Sequence, residues 1–185
     1  MDETSTRDAG TGRVGVWLVG ARGSVATTAV LGAAAIRAGL APGTGLVSEL
    51  PDFHGCQLPA VRDLVFGGHD IAAGPLAKRA EALAQQAVVP VALPELLRAT
   101  LDQVDAEIRP GVPVEGGGRD QPVQAEQAER LRTDLTQFRS RHRLDRVVVV
   151  NVSATEPPPD LVPAYARLAD LELALARPGP VLPPS

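Results

Sequence analysis

A turn of small residues, GARGSVA over 20–26, could bind a phosphate group. It follows an apolar run, RVGVWLV, and opens a run of small apolar residues that lasts until Ala38, so the order predicts strand, glycine turn and helix. In dinucleotide-binding folds the pyrophosphate lies at such a junction, because glycine lets the backbone approach it and the start of the helix offers free amide groups. The alternative is an ordinary tight turn between a strand and a helix.

The turn resembles the G-x-G-x-x-G/A fingerprint without matching it in full. Gly20, Gly23 and Ala26 take positions similar to three of its small members, and Arg22 stands where the middle glycine would be. In that fingerprint an acidic residue about 20 positions further on holds the ribose of the adenosine. Glu49 is the nearest candidate, and we interpret it as a solvated loop carboxylate.

Two further segments place polar residues after predicted strands. In FGGHDI over 66–71, two glycines permit close backbone approach, Asp70 could accept hydrogen bonds from ribose hydroxyls, and His69 could titrate or bond to a cofactor. In NVSATE over 151–156, hydroxyl and amide side chains follow the last predicted strand, at the edge of the sheet where α/β proteins bind ligands. The alternative for His69 is an ordinary loop histidine without such a role. The alternative for 151–156 is a capped strand end.

No set of residues predicts a metal site or a catalytic nucleophile. His54 and Cys56 have no partner cluster, and Ser24 has no histidine nearby in the sequence. Lys78 lies in a segment rich in Ala, Arg and Glu, where we expect it to be solvated. Cys56 is the only cysteine, so an internal disulfide is impossible, which fits a reducing cytoplasm.

Composition limits the classes of partner. The 185 residues suffice for one domain, whose core Leu, Val, Ile and Ala must fill because aromatic residues make up only 3%. The net charge of -4 leaves no basic field that would neutralise a nucleic acid backbone or an anionic membrane surface. The polar N-terminus lacks the layout of a signal peptide, and the longest apolar stretch, 25–36, is too short to span a bilayer.

Strands and helices are predicted to alternate, which is typical of a Rossmann-like α/β fold with a mainly parallel sheet and flanking helices. The predicted strands are 13–19, 45–48, 63–66, which Gly67 and Gly68 end, and 146–152. The predicted helices are 24–38, which Gly39 caps, 75–87, one that begins at Pro94 and carries Ile108 on its apolar face, one through 128–138, and a last one through 161–175. We expect a surface loop over 109–121, a disordered lead-in over 1–12, one domain over 13–176 and a tail over 177–185.

The motifs occur together in the order and spacing of a known family. GVWLVGARGSVATT, then LVFGGHDI, then LDRVVVVNVSATEP resemble segments of the inositol-3-phosphate synthases, and the resemblance extends from residue 13 to the end. It departs from the family's better-known glycine loop, in which paired asparagines stand where this chain has Ser24 and Val25. The family converts glucose 6-phosphate to inositol 3-phosphate with NAD, which takes a hydride and returns it in each turnover.

The resemblance implies a set of cofactor-binding positions. The pyrophosphate of NAD would contact the glycine turn at Gly20, Gly23, Ser24, Val25 and Ala26. The ribose would face Asp70, and three small residues, Ser153, Ala154 and Thr155, would lie beside the cofactor. The family's catalytic lysines come from a later segment that nothing in this chain matches. We therefore expect a chain truncated before its catalytic and tetramerisation part and inactive alone, with glucose 6-phosphate and the family's homotetramer requiring the missing half.

Two other functions stay open. A non-catalytic NAD-binding or assembly module would work with a separate chain that carries the missing half. An NAD-dependent dehydrogenase would need a general acid or base near the nicotinamide. Only His54, His69 and His142 are available as histidines, and His142 is predicted to end a helix far from the site.

Overall fold

The computed structural model describes residues 12–53, 55–56, 58–111, 124–153 and 166–176. Within these ranges the strands are β1 (Val14–Val19), β2 (Leu64–Asp70), β3 (Ile108–Pro110) and β4 (Arg146–Asn151). The α-helices are α1 (Ser24–Arg37), α2 (Leu76–Gln85), α3 (Leu93–Leu96), α4 (Arg98–Asp105), α5 (Gln124–His142) and α6 (Leu168–Leu175). Short 3-10 helices at Val47–Glu49, Pro51–Phe53 and Val61–Asp63 lie between α1 and β2.

The described strands form one parallel sheet in the spatial order β3-β2-β1-β4. Val19, at the end of β1, aligns with His69 of β2 on one side and with Asn151 of β4 on the other. The chain first builds outward from β1 to β2 and β3 and then returns to the opposite side of β1 with β4, so the strand order reverses beside β1. Open α/β sheets bind ligands at this reversal, outside the carboxyl ends of the strands. The predicted Rossmann-like fold is thus confirmed.

Helices pack on both faces of the sheet at β1 and β2, whereas most residues of β4 are exposed. On one face α1, α2 and α4 enclose an aliphatic core in which Leu31, Leu76 and Leu101 are fully buried. Burial of each such side chain contributes about 1.5–3 kcal/mol relative to exposure. On the other face α5 packs Phe138 edge-to-face against Trp17 of β1, with 4.9 Å between ring centroids. Trp17 and Phe138 thus form a small aromatic cluster at α5, whereas Phe66 packs against the aliphatic core on the other face.

The first predicted elements agree with the structure. β1 and α1 occupy the expected segments. α1 ends at Arg37, and the capping residue Gly39 has a φ of +70°. Leu40 N donates to Ala35 O at 2.8 Å and Gly39 N donates to Ile36 O at 3.0 Å. These two bonds form a Schellman motif, in which glycine supplies the left-handed residue. The helices expected around 75–87 and 128–138 and the strand at 146–152 are also present.

The prediction of a strand over 45–48 is wrong. Gly45 adopts a φ of +91°, and the chain there turns into the 3-10 helix Val47–Glu49. Because this segment does not join the sheet, the next strand after α1 is β2, which ends at Asp70. Glu49 is exposed, in agreement with its interpretation as a solvated carboxylate.

Gly67 and Gly68 do not end the second strand as predicted, because both lie inside β2. A Cβ atom at Gly67 would lie 2.9 Å from Cε2 of Phe138, and one at Gly68 would collide with the carbonyl oxygen of Leu18. The space that these glycines leave is filled by an aromatic ring on one face and by the backbone of β1 on the other. Their role in the structure is close packing inside the protein.

The helix expected from Pro94 to Ile108 is interrupted. α3 ends at Leu96 and α4 begins at Arg98, while Ile108 opens β3 and is buried in the sheet. The loop expected over 109–121 therefore begins with strand residues. The rest of that loop, from residue 112, lies outside the described residues. So do three other predicted segments: the lead-in up to residue 11, the tail over 177–185 and the start of the last predicted helix.

Candidate functional site

The glycine turn is anchored to the end of β2. Gly20 N and Ala21 N both donate to the carbonyl oxygen of His69, at 2.9 and 3.2 Å. Gly20 has a φ of +86°, which favours glycine, and Gly23 N donates back to Gly20 O at 2.9 Å. The turn is thereby fixed at the carboxyl edge of the sheet, where the strand order reverses.

The start of α1 offers backbone donors without protein acceptors. The first helical bond runs from Thr27 N to Gly23 O at 2.9 Å. Within the described residues, no acceptor takes the N–H groups of Ser24, Val25 or Ala26. Gly23 makes no side-chain cap, and the first turn of α1 contains no acidic residue. Three amides without an acceptor among the described residues thus coincide with the positive end of the helix dipole, an arrangement that attracts an anion.

Ser153 lies directly beside this turn. A Cβ atom at Gly20 would come within 2.8 Å of the Ser153 Cα, and one at Gly23 within 3.8 Å of the Val152 carbonyl oxygen. Ser153 N and Oγ donate to Asn151 Oδ1 at 3.1 and 2.7 Å, which closes the end of β4. The first and third predicted segments are therefore brought together at the reversal point. Ala154 and Thr155 lie outside the described residues.

Asp70 occupies the end of β2, the place where dinucleotide-binding folds hold their ribose-binding acid. Its Oδ2 accepts a hydrogen bond from Arg22 N at 2.6 Å, and its Oδ1 accepts one from Ala72 N at 2.7 Å. These bonds fix the carboxylate against the glycine turn. An ionised carboxylate has about four lone-pair sites, so both oxygens retain capacity for ribose hydroxyls.

Arg22 holds the turn through its side chain as well. Its Nε and Nη2 donate to Asp105 Oδ1 at 3.1 and 3.0 Å, and the same oxygen accepts a bond from Leu76 N at 3.0 Å. Asp105 therefore links the glycine turn to the start of α2. No sequence pattern indicates this contact, because Asp105 lies on α4, whereas Arg22 lies in the glycine turn and Leu76 on α2.

His69 is a buried strand residue and does not lie in a loop. Trp17 Nε1 donates to its Nδ1 at 2.9 Å, and its Nε2 lies 2.9 Å from Asp134 Oδ2. Because an indole nitrogen can only donate, Nδ1 must accept, and the ring proton therefore sits on Nε2 and is donated to Asp134. Both ring nitrogens are engaged by the protein, which leaves neither free for a cofactor.

The other candidates lie apart from the turn. The Lys78 side chain is 70% exposed, and its Nζ lies 2.8 Å from Glu81 Oε2, as expected for a solvated residue. In the described ranges no group of three metal-ligating side chains occurs, and His54 lies outside these ranges. A surface cavity of about 490 Å³ lies at the opposite end of α1, beside Arg37 and Arg62. Glu49 lines it, but no residue of the glycine turn and neither Asp70 nor Ser153 does.

The glycine turn, the free amides and the reversed strand order define a dinucleotide-binding domain of the Rossmann type. The family model for the NAD-binding domain of myo-inositol-1-phosphate synthase matches residues 14–62 and 56–185. The chain therefore belongs to the myo-inositol-1-phosphate synthase family, and NAD is the cofactor of the domain that this model describes.

One curated relative agrees with this assignment, and one solved structure shares the fold. Inositol-3-phosphate synthase 1 of Bacteroides thetaiotaomicron is 32% identical over 189 residues, which cover 89% of this chain and 42% of that protein. The inositol-3-phosphate synthase of Caenorhabditis elegans has the same fold, with a TM-score of 0.69 at 18% identity over 89% of this chain and 39% of that one. The chain thus spans less than half the length of the relatives that it matches. None of the described helices is long and apolar enough to cross a membrane.

Proposed function

We propose that this chain binds NAD at the carboxyl edge of its sheet and forms the cofactor-binding part of an inositol-3-phosphate synthase. The observation that carries the proposal is that, within the described residues, three amides at the start of α1 have no protein acceptor at the point where the strand order reverses. Membership of the family supplies the identity of the dinucleotide.

The phosphate end of the cofactor fits the glycine turn. The amides of Ser24, Val25 and Ala26 would donate to the pyrophosphate oxygens. The absence of a side chain at Gly20 and Gly23 lets the turn that presents them pack closely against the end of β4. No carboxylate lies in the first turn of α1 to compete for these donors. The residues present are therefore chemically suited to a diphosphate.

The remaining contacts follow the sheet edge on either side of β1. Asp70 would accept hydrogen bonds from the ribose hydroxyls, since its carboxylate is already oriented by Arg22 N. Ser153, which adjoins Gly20, would lie beside the cofactor, and we assign the same position to Ala154 and Thr155.

NAD, when bound, would take a hydride from the sugar phosphate and return it later in the same turnover. The chain's own contribution is to bind and orient the cofactor. His69 has both ring nitrogens engaged by Trp17 and Asp134, so it is unsuited to act as the general acid or base that a simple dehydrogenase needs. This argues for the synthase over the dehydrogenase alternative.

Catalysis is assigned to the whole synthase. The chain corresponds to 42% of the curated relative, and its single lysine is an exposed residue paired with Glu81. We therefore propose that glucose 6-phosphate binding and assembly into a homotetramer need the part of the synthase beyond this chain. We also propose that the enzyme acts in the cytoplasm. Turnover of glucose 6-phosphate by the isolated 185-residue chain would overturn this assignment.

Calorimetric titration with NAD, with NADP as the comparison, tests the cofactor site. We expect saturable NAD binding that Asp70→Ala weakens about tenfold, since a hydrogen bond to a charged group contributes about 1.5–3 kcal/mol. Gly23→Val should weaken it further, because its Cβ atom would lie 3.0 Å from the Gly20 carbonyl oxygen and distort the turn that precedes these amides. Glu49→Ala is the matched control, because it removes an exposed carboxylate outside the site. A chain that melts cooperatively and yet does not bind millimolar NAD would refute the proposal.

A further inference from the structure

Arg79 places a guanidinium group at the entrance of the proposed pyrophosphate site. It lies on α2, and its Nη2 donates a hydrogen bond to Ser24 Oγ at 2.8 Å. Ser24 is the first residue of α1, and both side chains are exposed. The contact joins residues 55 positions apart in the sequence, so the packing of α2 against α1 creates it.

The position is electrostatically unfavourable without a ligand. A cation near the start of a helix is repelled by the positive end of the helix dipole. Within the described residues, no carboxylate lies within 4.0 Å of Arg79, whereas the neighbouring cations Lys78 and Arg98 both pair with Glu81. The first turn of α1 also lacks an acidic residue. Two sources of positive potential therefore converge on one surface, and an anion would neutralise both.

Arg79 also compensates for the unusual glycine turn. Arg22 N donates to Asp70 Oδ2, and Gly23 N donates to Gly20 O, so neither amide is available to a phosphate. A guanidinium carries five N–H donors in a planar fork, and the bond to Ser24 uses one of them. The remaining donors can meet phosphate oxygens in pairs, a geometry that a lysine cannot reproduce.

We infer that Arg79 binds the pyrophosphate of NAD from α2, opposite the free amides of α1. This inference rests on the proposed function and adds to it a ligand-binding residue outside the glycine turn. The chemical class recognised is a nucleoside diphosphate, so ADP should depend on Arg79 as NAD does, whereas adenosine should not.

Titrations of the whole chain with NAD, ADP and adenosine test the inference. We expect Arg79→Gln to weaken NAD and ADP about tenfold or more and to leave adenosine unchanged, since a charge-assisted hydrogen bond is lost. The NAD and ADP affinities of Arg79→Lys should lie between those of the wild type and Arg79→Gln, because lysine keeps the charge and lacks the planar fork of donors. Lys78→Gln is the control: it removes one positive charge at the adjacent position and should leave all three affinities unchanged.

The outcomes separate the two proposals. If the wild-type chain binds NAD and Arg79→Gln binds NAD and ADP equally tightly, the assignment of Arg79 is overturned and the cofactor site stands. Equal losses in Arg79→Gln and Lys78→Gln would also overturn it, because they would reflect general charge and not a contact. If the folded wild-type chain binds neither NAD nor ADP, the proposed function itself fails. Thermal midpoints of the variants close to the wild-type value would show that these exposed substitutions leave the fold intact.

Discussion

Gly20 packs against the backbone of Ser153, so that a Cβ atom at Gly20 would lie 2.8 Å from the Ser153 Cα and 2.9 Å from its N. Gly20 follows β1 and Ser153 follows β4, the two strands beside which the strand order reverses. The glycine thus lets two segments meet that are distant in sequence. A larger residue would separate the glycine turn from the end of β4, and both belong to the proposed cofactor site.

Substitution of Gly20 should destabilise the fold. Gly20→Ala places a side chain at a φ of +86° and against the Ser153 backbone. We expect a loss of about 2 kcal/mol or more in the free energy of unfolding, from left-handed strain and overpacking together. Urea denaturation followed by circular dichroism measures it.

Gly32 provides the matched control for that measurement. It lies inside α1, and a Cβ atom there meets nothing within 4 Å. Gly32→Ala should raise the free energy of unfolding by about 0.5–1 kcal/mol, because alanine has the higher helix propensity. Equal effects of the two substitutions would contradict the packing argument.

The local parts of the site could be predicted from the sequence. The strand, glycine turn and helix of residues 13–38 are encoded by a short apolar run, a glycine and a run of small residues, all of which act over a few positions. Asp70 could be chosen as a ribose ligand from its place after a predicted strand. Its spacing does not match the fingerprint, because the turns and 3-10 helices between α1 and β2 place it 48 residues after Arg22 and not about 20.

The tertiary contacts could not be predicted in this way. Ile108 continues the helical spacing of α4, yet it forms a strand because it pairs with Gly68 at the edge of the sheet. Gly67 and Gly68 carry the composition of a turn, and they belong to a strand because Phe138 and Leu18 need their space. The contact between Arg79 and Ser24 depends on helix packing, for which no pattern in the sequence is a signal.

Asp105 should contribute more to stability than its position suggests. Asp105→Ala removes the acceptor of both the partly buried Arg22 guanidinium and Leu76 N. We expect a loss of about 1–3 kcal/mol in the free energy of unfolding. Asp105→Asn keeps a carbonyl oxygen and should lose less. Asp102→Ala on the exposed side of α4 is the control and should stay within about 0.5 kcal/mol of wild type, so a similar loss there would count against the bridging role.

Glu81 should make stability depend on acid pH. Hydrogen bonds from Lys78 and then from Arg98 hold the pKa of Glu81 below its ordinary value of 4.5. Since the folded pKa is the lower one, the stabilisation is present above about pH 4.5 and is lost as the pH falls through the folded value. Glu81→Gln should therefore lower the urea midpoint at pH 7, and its difference from wild type should vanish under more acidic conditions. A difference that persists unchanged at pH 3 would contradict the linkage.

Trp17, His69 and Asp134 should behave as one hydrogen-bonded unit across β1, β2 and α5. His69→Leu leaves the buried Trp17 N–H without an acceptor, and Trp17→Phe leaves His69 Nδ1 without its donor. Each substitution should cost about 1–3 kcal/mol of unfolding free energy, and the double variant should cost less than their sum by about 0.5 kcal/mol or more. Asp134→Asn retains an oxygen that accepts the Nε2 proton, so it should cost less than His69→Leu. Nitrogen-15 spectra of the histidine rings should show the Nε2–H tautomer for His69 at pH 7; a proton on Nδ1 would be incompatible with donation from Trp17.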